Sequence, residues 1–212
     1  DLKPENIMLT RNGEVKLMDF GIARLADDAQ VTMTGALVGS PAYMSPEQAT
    51  SQELDARSDL FTLGTVLYRM VTGRLPFQGT NPSIVLKNII DGVYDEPMES
   101  VPSLSPRLGR VIKRLLAHDP AERFESAEEV EQELTAFLKS VGIDPDAPGC
   151  WALISYLKTP EDYEERLREA LIDRLVARGR EENERGTTAE ALSTFNRVLA
   201  LDSNNTEVLD VL

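Results

Sequence analysis

A chain of 212 residues that is 42% hydrophobic and 27% charged can bury a sizeable core in one medium domain with a smaller second one. Its formal net charge of −14 is the wrong sign for nucleic acid or an anionic membrane surface, both of which select basic faces. One cysteine, Cys150, leaves no disulfide framework, and one histidine, His118, leaves neither the usual zinc sites nor a Ser-His-Asp triad within the chain.

The first stretch, Asp1-Leu2-Lys3-Pro4-Glu5-Asn6, reads as a tight loop. Ile7-Met8-Leu9 and Val15-Lys16-Leu17 come next as two apolar runs around Arg11-Asn12-Gly13, and Asn-Gly between such runs signals a hairpin turn. A hairpin returns its ends to one place, so Asp19 of Asp19-Phe20-Gly21 comes back beside Asp1 and Asn6. Three oxygen-bearing side chains would then converge as a hard cation such as Mg²⁺ requires, and a carboxylate nearby could orient an incoming hydroxyl. A plain surface hairpin with solvated carboxylates is the other reading of the same residues.

Asp-Leu-x-x-x-Asn followed by Asp-Phe-Gly resembles the second half of the protein-kinase signature set. Lys-Pro-Glu after Asp-Leu is similar to the serine/threonine branch of that family, in its bacterial (Hanks-type) form. The resemblance implies roles. Asp1 takes the substrate hydroxyl's proton, Lys3 steadies the γ-phosphate, and Asn6 and Asp19 hold Mg²⁺, with ATP as phosphoryl donor. The chain starts on Asp1 rather than Met, and no G-x-G-x-x-G occurs in it. The expectation is therefore a C-lobe fragment without the phosphate-covering lobe, inactive by itself.

Residues 22 to 39 are polar, bear threonine and show little period, which resembles an activation loop. Thr32 and Thr34 lie in its middle as candidate regulatory phosphorylation sites, since phosphate there can order a loop against an arginine such as Arg24. Gly39-Ser40-Pro41-Ala42-Tyr43-Met44-Ser45-Pro46-Glu47 resembles the segment that ends this loop in the family, with serine for the usual alanine before Pro46. By that resemblance Ser40 offers the hydroxyl that bonds the catalytic Asp and Lys. Glu47 forms a buried ion pair with Arg123 of Asp119-Pro120-Ala121-Glu122-Arg123-Phe124, as architecture rather than chemistry.

Asp55 to Gly73 predicts a central helix, with Ser58 able to cap it and Gly73 and Pro76 to stop it. Leu60, Phe61, Leu63, Val66, Leu67, Met70 and Val71 cover nearly every face and imply burial. Asp59 on so apolar a helix needs a partner, and the resemblance supplies the backbone of the catalytic loop. An exposed first-turn aspartate favoured by the helix dipole is the alternative. Further helices open at Asn81-Pro82, at Ser105-Pro106, and at the capping box Ser126-x-x-Glu129.

The fold expected is mainly α: a kinase C-lobe of short hairpin and helical bundle over residues 1–140, a linker over 141–158, and a helical hairpin over 159–212. Asp144-Pro145-Asp146-Ala147-Pro148-Gly149 fails as a calcium loop at its fifth and twelfth positions, Pro148 and Ser155. Trp151, Leu153, Ile154, Tyr156 and Leu157 could dock the helical tail onto the lobe. Gly179, Gly186, Ala191, Phe195 and Val198 fall at spacings that resemble one tetratricopeptide repeat over roughly 172–205, with Glu182 in place of an aromatic and Ser203 in place of proline. A simple helical hairpin is the other reading.

Two functions of different class fit these residues. One is a serine/threonine protein kinase acting on protein serine or threonine, its tail recruiting protein partners. The other is a pseudokinase or repeat scaffold without phosphotransfer. Asp1, Lys3, Asn6 and Asp19 are all intact, which favours the first. No apolar run approaches the roughly 18 residues of a membrane span, so the reading is cytoplasmic, with neither nucleic acid nor membrane as a partner of this segment.

Overall fold

The computed structural model describes residues 2–19, 41–141, 143 and 152–211. By packing the chain falls into two units: Asp1–Thr10, Val15–Pro97 and Arg110–Glu131 in one, Arg11–Glu14, Met98–Gly109 and Gln132–Leu212 in the other. The described residues are mainly helical, with one two-stranded antiparallel sheet.

In the first unit a 3-10 turn at Pro4–Asn6 leads into β1 (Ile7–Leu9), which pairs with β2 (Val15–Leu17) in the register Ile7–Leu17, Met8–Lys16, Leu9–Val15. Gly13, at φ +81°, supplies the left-handed residue of the turn. After a 3-10 turn at Pro41–Tyr43 come α1 (Pro46–Ala49), α2 (Ala56–Thr72) and α3 (Pro82–Asp91). Asn81 caps α3 by accepting the Ile84 amide at 3.0 Å.

The central helix is α2, and Phe61 on it is fully buried. Its N-cap is Asp55, whose carboxylate accepts the Arg57 amide at 2.7 Å. Ser58 is therefore no cap; it lies within the first turn, and its hydroxyl is spent elsewhere. Gly73 ends the helix at φ +74°. Met70, expected in the core, is 74% exposed, and Leu63, Leu67 and Val71 are half-buried. The buried face includes small residues instead: Thr62, Thr65 and Gly64. A methyl group on Gly64 would stand 2.7 Å from Leu115 Cβ, so glycine sets the close approach of α2 to that residue. Phe77 stacks on Phe61 at 5.7 Å and meets Tyr94 edge-on at 5.4 Å. Burial, with Glu96 and Tyr68 nearby, pushes the Tyr94 hydroxyl up to about 12.

Three helices come next: α4 (Pro97–Ser100), α5 (Pro106–Leu115) and α6 (Ala127–Ser140). Ser126 accepts the Glu129 amide at 3.3 Å, while the Glu129 carboxylate reaches back one residue further than in the expected box, to the Glu125 amide at 2.8 Å.

The second unit carries α7 (Leu153–Lys158), α8 (Pro160–Glu184), α9 (Thr188–Leu201) and α10 (Thr206–Leu209). Residues 153–158, placed in a linker by sequence, are helical. Gly186 at φ +79° turns α8 into α9, and Leu175, Val176, Ala191, Phe195, Val198 and Val208 form a core. A Cβ on Gly179 would meet Phe195 Cε1 at 2.4 Å, so only glycine lets the ring lie against α8. Glu182 is buried between the helices; it accepts from Thr194 Oγ1 at 2.7 Å and Arg178 Nε at 2.6 Å. Burial opposes its charge, but those two donors win and hold its carboxyl below the usual range. Arg197 Nε donates to the Ser103 carbonyl at 3.3 Å, and Arg174 donates to the Val141 carbonyl. No helix among the described residues is long and apolar enough to cross a membrane.

Candidate active site

The hairpin positions the site. Pro4 sits at the first position of the 3-10 turn, where its missing N–H costs nothing. The turn closes with the Asn6 amide donating to the Lys3 carbonyl at 2.9 Å. Asn6 is buried, and its own carbonyl accepts the Met18 amide at 2.8 Å. That last bond lies beyond the strand ladder and brings the chain just before Asp19 back to Asn6. Lys3 is half-buried at the start of the turn.

Asp19 is exposed and has φ +54°. Few side chains adopt that left-handed region, and aspartate tolerates it better than most. Strained backbone of this kind clusters at functional sites. The carboxylate of Asp19 and the side-chain amide of Asn6 are both hard oxygen donors, which suits Mg²⁺. Among the described residues no three or more His, Cys, Asp or Glu side chains gather as a metal cage. Two protein ligands fit an ion whose remaining positions are filled by phosphate oxygens and water. Asp1, Thr32, Thr34 and Ser40 lie outside the described residues, as do Phe20, Gly21 and Arg24.

The segment from Pro41 onward is anchored firmly. Ser45 is fully buried and caps α1; its hydroxyl accepts the Gln48 amide at 3.3 Å while the Gln48 side chain accepts the Ser45 amide at 2.9 Å. Thr62 donates to the Tyr43 carbonyl at 3.0 Å, and Arg69 donates to the Tyr43 hydroxyl at 2.5 Å. Glu47, in α1, meets Arg123 in a two-pronged pair, Nη1 to Oε1 at 2.7 Å and Nη2 to Oε2 at 2.9 Å. Ser58 donates to Oε1 at 2.7 Å.

Asp59 is exposed in the first turn of α2, so it is no buried polar group of that helix, and Asp1, whose loop it was to hold, lies outside the described residues. Sequence reasoning missed the capping box at Ser45 and the Ser58 hydroxyl on Glu47. The first had a signal, Ser-x-x-Gln across Pro46; the second had none, because it joins residues 11 apart that only the fold brings together.

A family profile described as "Protein kinase domain" matches residues 1–134. The chain is 39% identical over 165 residues to the probable serine/threonine-protein kinase SCO3848 of Streptomyces coelicolor, covering 76% of this chain and 24% of that protein. It is 42% identical over 150 residues to the serine/threonine-protein kinase PknB of Mycolicibacterium smegmatis, and 40% identical over 150 residues to PknB of Mycobacterium tuberculosis. Each of those two matches covers 70% of this chain and 24% of the relative. The chain therefore spans about a quarter of the length of these relatives.

Proposed function

The chain belongs to the protein kinase family, in its bacterial serine/threonine branch, and from that premise we propose that it supplies the phosphoryl-transfer half of a kinase that acts on protein serine and threonine hydroxyls with ATP. The observation that supports the proposal is the bond from the Met18 amide to the Asn6 carbonyl, which brings the residue before Asp19, itself at an unusual φ, back to Asn6.

In this reading Asp1 accepts the proton of the incoming hydroxyl as its oxygen bonds to the γ-phosphorus, and the bond to the departing ADP oxygen breaks. Lys3 places a positive charge on the transferring group. Asn6 and Asp19 hold Mg²⁺, which when bound offsets the charge of the phosphate oxygens. Ser40 bonds the catalytic loop, Asp59 anchors that loop's backbone, and Thr32 and Thr34 take regulatory phosphate. The tail hairpin, with its repeat-like glycine and Ala-x-x-x-Phe spacing, presents a surface for protein partners.

The 212-residue chain alone is expected to transfer no labelled phosphate and to bind ATP weakly or not at all, because positioning of the nucleotide precedes any use of the metal ligands. Joined to a lobe with a glycine-rich phosphate loop, it should phosphorylate a protein serine or threonine. Mass spectrometry after incubation with Mg-ATP should then find phosphate on Thr32 or Thr34. Transfer by the 212-residue chain alone would contradict the division of labour. A joined protein that binds ATP yet transfers nothing would support a binding module instead.

A further inference from the structure

The Pro41–Tyr43 turn packs close to the loop of candidate metal ligands. Ala42 and Tyr43 are buried with Val66 of α2 in one apolar cluster, and Ile7, the residue after Asn6, packs against it. Thr62 holds the Tyr43 carbonyl from the same helix. The body of Tyr43 is therefore fixed, while its hydroxyl accepts from Arg69 Nη1 at 2.5 Å, and Arg69 is exposed. All of these residues belong to the first packed unit.

Arg69 is a cation without an evident structural task. Among the described residues no carboxylate pairs with it, and of its five N–H donors one is used. Arg123, by contrast, spends all five. The neighbours of Arg69 one turn away on α2 are Thr65, Val66, Thr72 and Gly73, so the helix offers it no anionic side chain at the usual spacing. Asp59 of α2 lies near the other end of the helix, about 15 Å along the axis at 1.5 Å per residue. Nor does the Tyr43 hydroxyl need a guanidinium, since water serves a tyrosine hydroxyl at the edge of a core.

We infer that Arg69 is a specificity-determining residue: it takes an acidic side chain of the protein substrate, close in sequence to the serine or threonine that receives phosphate. The inference rests on the proposed function, which puts the accepting hydroxyl at the Asp1–Asn6 loop. A substrate chain seated there runs beside the Pro41–Tyr43 turn, and Arg69 meets that turn at the Tyr43 hydroxyl. The unused edge of a planar guanidinium matches a carboxylate with two parallel bonds. Tyr43, which accepts from Arg69, keeps its own proton to donate to the same carboxylate. A basic substrate residue in that place is repelled.

The test measures transfer by the joined protein to a set of peptides. Each holds one serine among neutral residues, with Asp, Asn or Arg placed at each neighbouring position in turn. At one position Asp should lower KM about fivefold against Asn, the upper end for an exposed ion pair, and Arg should raise it, with kcat little changed. The preference should fade as salt is raised. Arg69→Glu should reverse it, favouring Arg at that same position, whereas Arg69→Lys should keep it. A merely structural role at Tyr43 would move all the peptides alike. Equal KM for the Asp, Asn and Arg peptides at every position would overturn the inference, as would a preference untouched by Arg69→Glu. Should Arg69→Glu fail to fold, Arg69→Gln, which removes the charge and keeps a donor, decides the matter: loss of the preference supports the inference and its retention overturns it. Absence of transfer to every peptide by the unsubstituted joined protein would be a failure of the kinase reading itself, and this inference falls with it.

Discussion

Replacing Arg123 by methionine should cost the chain about 3–5 kcal/mol of stability, because it leaves the Glu47 carboxylate buried without its counter-charge. The loss is large since every N–H of the guanidinium is used. Nε donates to the Ala117 carbonyl at 2.8 Å, Nη1 to Glu47 and to the Arg57 carbonyl at 3.0 Å, and Nη2 to Glu47 and to the His118 carbonyl at 3.0 Å. The side chain also lies over the Phe61 ring at 4.9 Å. Glu47→Gln should cost a comparable amount from the other side. The two losses together should fall short of their sum, since after the first the second removes a partner already lost. Urea unfolding of the four chains measures this, and plain additivity would contradict the coupling.

The same pair fixes a pH dependence. Burial pushes the Glu47 carboxyl up, but the bonds from Arg123 and Ser58 outweigh it and hold it down at about 2. Its folded value lies below its unfolded value of 4.5. The stabilisation is therefore fully present above the unfolded value and is lost as pH falls from there through the folded value. The gap between the wild-type chain and Arg123→Met should be widest at neutral pH and narrow in acid.

Asp19→Asn should abolish phosphoryl transfer in a protein that joins this chain to a nucleotide-covering lobe, by about a thousandfold or roughly 4 kcal/mol of transition-state stabilisation. The substitution is unusually clean. Asparagine tolerates the left-handed backbone at φ +54° as aspartate does, so the main chain need not move. Asp19 is exposed, so folding should be unaffected. What is removed is the negative charge that would hold Mg²⁺. Retained transfer at unchanged Mg²⁺ dependence would remove Asp19 from the ligand set.

Local signals carried much of this architecture. Asn12-Gly13 between two apolar runs announced the hairpin, and Asn81-Pro82 announced a capped helix start, because turn and cap chemistry act within four residues. What failed was non-local. Met70 fits an apolar stripe, but among the described residues nothing covers it, and periodicity cannot say which side of a helix the core lies on. Gly64 reads as a flaw in a helix until Leu115 is seen against it. Glu182 looks like a departure from an aromatic position until Thr194 is found one helix away, satisfying it. Ser58 has the chemistry of a cap, yet Asp55 three residues earlier takes that role and frees the serine for Glu47. At the site, the pattern of Asp and Asn was legible. The Met18–Asn6 bond closes the hairpin where its turn signal put the two ends, whereas the Ser58 hydroxyl on Glu47 depends on the fold and was not legible.

The most direct test of the kinase assignment tracks labelled γ-phosphate from ATP to serine and threonine of a protein substrate, using the joined protein with Asp1 intact and with Asp1→Asn. Transfer is expected from the first and essentially none from the second, with ATP binding preserved in both, because the role proposed for Asp1 is with the hydroxyl's proton and not with the nucleotide. Full transfer by Asp1→Asn would contradict the assignment on which the whole site is built.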